Sequence, residues 1–185
     1  MIDIVWDVLE NFVEDWRNSP YEWTTEIDIQ AELANRLRQN LKDRKQLYQK
    51  AKYDYIRHGE MQDYSRVCCE WSTNYNDSQG RRVYCSPDII VYDNIDDPNN
   101  PPDREKHTNW PMLWICEIKY NTEDKSTIKE EWKWDIEKLG ILLDQKETKY
   151  ACGLYFDRTR IDLKPTQHTK DKDGNLKSYI VLPKK

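Results

Sequence analysis

The spacing of apolar residues in this chain changes near Tyr64, and that change limits the folds open to it. Before it, Ile2, Val5, Trp6, Leu9, Phe12, Val13 and Trp16 form one stripe at three- and four-residue intervals, stopped by Asn18-Ser19-Pro20. Ile29, Leu33, Leu37 and Leu41 form a second. Such spacing predicts two amphipathic helices. The second begins at Thr24 or Thr25, whose hydroxyls can accept the amides that a helix start leaves without partners. Beyond Tyr64 the apolar runs are short, β-branched and bounded by turn residues, as strands are. Residues 65–71 read as a strand, residues 74–80 as a polar turn, and residues 82–92 as a returning strand whose Ile89-Ile90-Val91 centre suits burial on both faces. Pro98, Pro101, Pro102 and Pro111, set among Asp and Asn, make residues 93–111 a long loop. Residues 113–120 form a third strand, and residues 127–144 a helix with Ile128, Trp132, Ile136, Leu139 and Leu143 inward. Residues 150–156 form a fourth strand, and a last one lies near residues 179–182. An order of helix, three strands, helix and strand implies an α/β layer fold around one central mixed sheet flanked by helices, with an extra N-terminal helix.

A length of 185 residues fits a single domain, at roughly 150 residues per domain. The 8 Trp and 12 Tyr argue against disorder, because they bring the large apolar area that disordered chains lack. No apolar run approaches the roughly 20 residues that cross a bilayer, and the acidic N-terminus is unlike a secretory leader. No membrane partner is therefore expected. The five cysteines form no Cys-x-x-Cys pair and have no histidine at zinc spacing, so reduced thiols and a cytoplasmic location are expected. The net charge of -5 is a poor match to nucleic acid as a whole, but its distribution is uneven. Residues 36–57 hold eight basic groups against two acids, and residues 158–185 eight against three. An acidic body could present two phosphate-facing basic segments.

Acid-x-Lys triplets occur seven times, so the pattern alone carries little. Only Glu117-Ile118-Lys119 is led into by a continuous apolar strand, where positions i and i+2 share a face and the carboxylate and ammonium point together. Likewise Pro102-Asp103 lies in the proline-rich loop, whereas Pro87-Asp88 interrupts an apolar run. A carboxylate is costly there unless it is paired or bound to a metal. If the strands of Asp88 and Glu117 are neighbours, both carboxylates can share one cation with Lys119 on the same side.

These residues resemble the PD-(D/E)XK nuclease superfamily, with its restriction-endonuclease-like fold: Pro87-Asp88 on one strand and Glu117-Ile118-Lys119 on the next, within a helix, three strands, helix, strand core. The likeness covers most of residues 24–156, with residues 1–19 as an added helix and 157–185 as a basic C-terminal extension of the same domain. It implies a further acid on the first core helix, for which Glu26 is the candidate, with Asp28 and Glu32 as fallbacks, and Gln30 as its supporting partner. It also implies Mg²⁺ or Mn²⁺ held by Asp88, Glu117, the Ile118 carbonyl and Glu26. Lys119 would then orient the attacking water and stabilise charge on the phosphate. The implied activity is hydrolysis of phosphodiester bonds in DNA by an endonuclease, with a homodimer if both strands are cut. Arg36, Arg38, Lys42, Lys45, Lys133 and Lys138 are the candidate phosphate contacts. The helix carrying Trp134-Asp135-Ile136-Glu137-Lys138-Leu139 also resembles the charged helix that follows the catalytic strand in that superfamily. A rival reading keeps the fold but not the catalysis, as a module that docks nucleic acid or a protein partner.

Overall fold

The computed structural model describes residues 1–53, 60–70, 73–95, 110–122, 126–145, 148–159, 166–169 and 175–184. Helix α1 (Ile2–Asn18) buries Val5, Leu9, Phe12 and Trp16, the stripe that its spacing predicts. Helix α2 (Glu26–Asp43) buries Ile29, Leu33, Leu37 and Leu41. A reciprocal capping box starts it. The Thr25 hydroxyl accepts from Asp28 N at 3.1 Å, and Asp28 Oδ2 accepts from Thr25 N at 3.0 Å.

Two strands absent from the sequence reading follow, β1 (Tyr48–Tyr53) and β2 (Glu60–Ser65), paired antiparallel as a separate two-stranded sheet. Tyr-Gln-Lys-Ala-Lys-Tyr and Glu-Met-Gln-Asp-Tyr-Ser offer no apolar alternation, so the pattern that marks a half-buried strand is missing. Strand β3 (Val67–Cys69) then leads to a hairpin of β4 (Thr73–Asn76) and β5 (Arg82–Cys85), and β6 (Ile89–Tyr92) follows. The single strand expected over residues 82–92 is thus two. Arg82–Cys85 pairs with Thr73–Asn76, while Ile89–Tyr92 changes partner to β3. Pro87, which has no N–H to give a ladder, lies at the break. The expected turn at 74–80 shrinks to residues 77–80. There the Asp77 carboxylate accepts from Gln79 N at 2.8 Å and Arg81 N at 2.9 Å, and Gly80 takes a φ of 74°.

Strand β7 (Met112–Asn121), helix α3 (Ser126–Gln145) and strand β8 (Thr148–Asp157) follow as expected. The chain ends with β9 (Thr166–Thr169), which the sequence does not signal, and β10 (Leu176–Val181). The central sheet has the order β3-β6-β7-β8-β10-β9. It is mixed: β3, β6 and β7 run antiparallel in turn, β7 and β8 are parallel neighbours joined through α3, β10 is parallel to β8, and β9 is antiparallel to β10. The architecture is therefore α/β with helices on both faces. Alternate residues divide between two cores. Ile89, Val91, Trp114, Cys116 and Ile118 pack with α1 and α2, while Ile90, Tyr92, Ile115 and Ala151 pack with Ile136, Leu139 and Leu142 of α3. All five cysteines are free thiols, with Cys116 and Cys152 buried as register partners. Among the described residues no helix is long and apolar enough to cross a membrane.

Gly153 fixes how closely α3 approaches. A Cβ there would overlap the Ile136 Cδ1 methyl and the Trp132 ring, so only glycine lets the helix settle on the sheet. Gly153 is the register partner of Glu117. The close approach thus occurs beside the charged end of β7 and brings the middle of α3 down onto it.

Candidate active site

Glu117 and Lys119 occupy alternate positions on the half of β7 that faces α3, and each meets a charge from that helix. Lys138 Nζ lies 2.7 Å from Glu117 Oε1 and 3.2 Å from Asp135 Oδ1, while Lys119 Nζ lies 3.6 Å from Asp135 Oδ2. Lys119 also reaches to 3.4 Å from Glu26 Oε1. Glu26 sits in the first turn of α2, and its other oxygen accepts from the Tyr120 backbone N–H at 3.3 Å. Of the three acids considered on α2, Glu26 is the one that reaches the sheet. Asp28 serves the capping box, where hydrogen bonds from Thr24 and Thr25 hold its pKa below the ordinary value, and Glu32 pairs with Arg36 at 2.7 Å.

Asp88 enters from the residue before β6. Its Oδ2 accepts from the Ile118 backbone N–H at 2.5 Å, so the carboxylate sits against the strand that bears Glu117 and Lys119. Its backbone carbonyl accepts from Gln30 Nε2 at 2.7 Å and from Glu70 N at 3.2 Å. Gln30 is buried on α2 and ties that helix to the strand start. The structure therefore brings Asp88, Glu117, Lys119, Glu26 and Gln30 into one junction of α2, β6, β7 and α3. Asp135 and the inward role of Lys138 went unread in the sequence. The available signal was the spacing of the pair: Asp135 and Lys138 are three apart on one helix, one turn along a common face.

Burial pushes the Asp88 carboxyl up to about 6, with Glu26 adding to the rise and the Ile118 hydrogen bond opposing it. Burial pushes Glu117 up to about 8 against the attraction of Lys138, with Asp88 and Asp135 adding to the rise. Burial pulls Lys119 and Lys138 down, but the acids outweigh it. Glu26, Asp135 and Asp88 hold Lys119 above its ordinary value, and Glu117 and Asp135 do the same for Lys138. Four carboxylates thus face two ammonium groups. The fully ionised cluster would carry two uncompensated negative charges in a partly dry site, an arrangement that a divalent cation would relieve.

The donor chemistry suits a hard ion, since Mg²⁺ is usually held by one or two carboxylates plus water and substrate oxygens rather than by a full protein cage. Among the described residues no three His, Cys, Asp or Glu side chains converge at ligating spacing. The oxygen donors at the junction that could hold such an ion are Asp88, Glu117 and the Ile118 carbonyl.

No protein-family model, curated protein or solved structure matches this chain.

The candidate phosphate contacts divide into two groups. Arg36 is engaged: it bonds to Asp15 and Glu32, and its guanidinium lies 5.2 Å from the Phe12 ring centroid. Arg38 donates to the Val67 carbonyl at 3.4 Å and lies 3.7 Å from Cys69 Sγ, which ties α2 to β3. Lys138 belongs to the acid cluster. Lys42, Lys45 and Lys133 are exposed and remain open to a polyanion.

Proposed function

We propose that this chain is a metal-dependent nuclease that hydrolyses phosphodiester bonds in DNA, with a restriction-endonuclease-like core formed by α2, β3, β6, β7, α3 and β8. The observation that carries this reading is the meeting of Asp88, Glu117, Lys119 and Glu26 at one end of β7, with more negative than positive charge in a half-buried site. Fold alone would not support an activity, but the site adds a chemical reason.

Asp88, Glu117 and the Ile118 carbonyl would hold Mg²⁺ or Mn²⁺, with Glu26 beside them. The ion supplies charge for the phosphoryl oxygen and a more acidic water. The chain's own groups do the rest. The Ile118 N–H fixes the Asp88 carboxylate, and Gln30 fixes the backbone that carries it, so the acid is oriented before any substrate arrives. Lys119 is protonated and held between Glu26 and Asp135, placed to donate to an attacking water or to a phosphoryl oxygen as negative charge builds there. Lys138 and Asp135 set the charge around Glu117 from the α3 side.

One contact favours the second reading, a nuclease-fold module without catalysis. Lys138 Nζ occupies a Glu117 oxygen at 2.7 Å, as a purely structural pair would. A single assay separates the two. Linear, circular and branched DNA are incubated with the protein and Mn²⁺, beside Asp88→Ala and Lys119→Ala. The expected result is EDTA-sensitive cleavage by the wild type that both variants lose. Equal degradation by all three proteins, or none by any, removes the catalytic reading.

A further inference from the structure

Beside the Glu26 end of this cluster lies an arginine with two aromatic rings and, among the described residues, no acid partner. Arg158 follows β8 directly, and its backbone N–H donates to the Asn121 carbonyl at 3.0 Å. The preceding Asp157 is buried and pins the turn. Its Oδ1 accepts from Thr159 N at 3.0 Å, Thr159 Oγ1 at 2.6 Å and Asn121 Nδ2 at 3.3 Å. The guanidinium is thereby aimed over the Tyr21 ring, 5.1 Å from its centroid, and the Tyr120 ring, at 5.6 Å. Tyr120 is also the residue whose N–H holds Glu26 and whose hydroxyl donates to the Trp23 carbonyl at 3.0 Å. The arginine stack and the acid cluster therefore share one residue.

Three properties of this spot suit a nucleotide. Tyr21 is 74% exposed, the largest exposure among the large apolar side chains described, so most of its ring is free to stack. No carboxylate among the described residues pairs with Arg158, and a bare guanidinium matches a phosphate. An open cleft of about 550 Å³ lies there, lined by residues 18–22 on one side and by Arg158, Pro183 and Lys184 on the other. That volume is in the range of small-ligand sites. Lys184 is taken by Glu14, and among the described lining residues Glu22 is the one acid and Arg158 the cation without an acid partner.

We propose that the Tyr21–Arg158 cleft seats an unpaired nucleotide of the substrate strand, with its base on the Tyr21 ring and its phosphate on the Arg158 guanidinium. This rests on the nuclease reading and sharpens it, because an exposed ring can stack on the open face of an unpaired base, whereas duplex bases cover one another. The preferred substrate is then DNA with a single-stranded segment next to the cut.

Fluorescence anisotropy in EDTA tests this without cleavage, using labelled oligothymidylate and a labelled blunt duplex as separate probes. Tyr21→Ala and Arg158→Ala should each weaken oligothymidylate binding by about tenfold and leave the duplex within about twofold, while Tyr21→Trp retains binding. Tyr84→Ala is the matched control, since Arg82 lies 5.3 Å over that ring on the separate β4–β5 sheet, and it should change neither probe. Unchanged oligothymidylate binding in the Tyr21 and Arg158 variants, or equal losses on both probes, would overturn the assignment. So would a matching loss in Tyr84→Ala. Cleavage by the wild type is scored separately: a cutting enzyme with unaffected variants loses the nucleotide seat alone, and selective binding losses without cutting lose the nuclease reading alone.

Discussion

The two halves of β7 share one ladder and have opposite chemistry. From Met112 to Cys116 every side chain is apolar or a thiol and buried, with Trp114 and Ile115 facing different helices. From Glu117 onward the strand keeps its pairing to β8 but carries Glu117, Lys119 and Asn121 into the same interior. The first half joins the layers. In the second, burial works against the residues themselves, since Glu117 there and Asp88 beside it are harder to ionise than free carboxyls. Keeping these acids buried costs stability, and that cost is what the proposed metal site would offset.

The largest expected effect separates the halves by activity. Asp88→Ala and Lys119→Ala should each reduce DNA cleavage by about a thousandfold, the scale of losing one preorganised charge. Trp114→Ala should do the reverse in character, costing about 3–5 kcal/mol in urea unfolding through the cavity that it leaves between β7 and α1.

Stability against pH sharpens the contrast further. The folded pKa values of Asp88 and Glu117 lie above those of the unfolded chain, so the native state holds more protons in between and stability falls as pH rises. Asp88 acts from about 4 to about 6 and Glu117 from about 4.5 to about 8. For Asp88 alone this is on the order of 3 kcal/mol. Without metal, the thermal midpoint should decline from pH about 5 to about 8, where the lowered carboxylates Asp28, Asp77 and Asp93 are already ionised. Glu117→Gln should flatten the upper part of that decline. A midpoint that rises across this interval would show that the acids are not strained.

The smallest effects belong to the exposed lysines. Lys42→Ala, Lys45→Ala and Lys133→Ala should each lower the salt dependence of DNA binding by about one unit of slope, with no change in fold. Arg38→Ala should instead destabilise the protein, because its guanidinium links α2 to β3.

Much of this was legible in the residues. Apolar runs mark β7 and β8, three- and four-residue spacing marks the helices, and the acids at 88 and 117 stand out because carboxylates interrupt apolar strands at a cost. The β1–β2 hairpin escaped because its residues are polar on both faces. The break at residues 86–88 escaped because Ser86-Pro87-Asp88 is short and apolar runs flank it on both sides, so only the change of partner, from β4 to β3, ends one strand and begins another. Lys138 was read as a surface cation because its ion pair with Glu117 depends on how closely α3 sits over Gly153, a tertiary fact with no local signature.

Calorimetric titration of Mn²⁺ into the metal-free protein at about pH 8 addresses the acid cluster most directly, since ligand carboxylates must be deprotonated to bind. The expected result is one bound ion in the wild type, lost in Asp88→Asn and in Glu117→Gln. No binding by the wild type, or binding unchanged in both variants, would contradict a divalent-ion site at the end of β7.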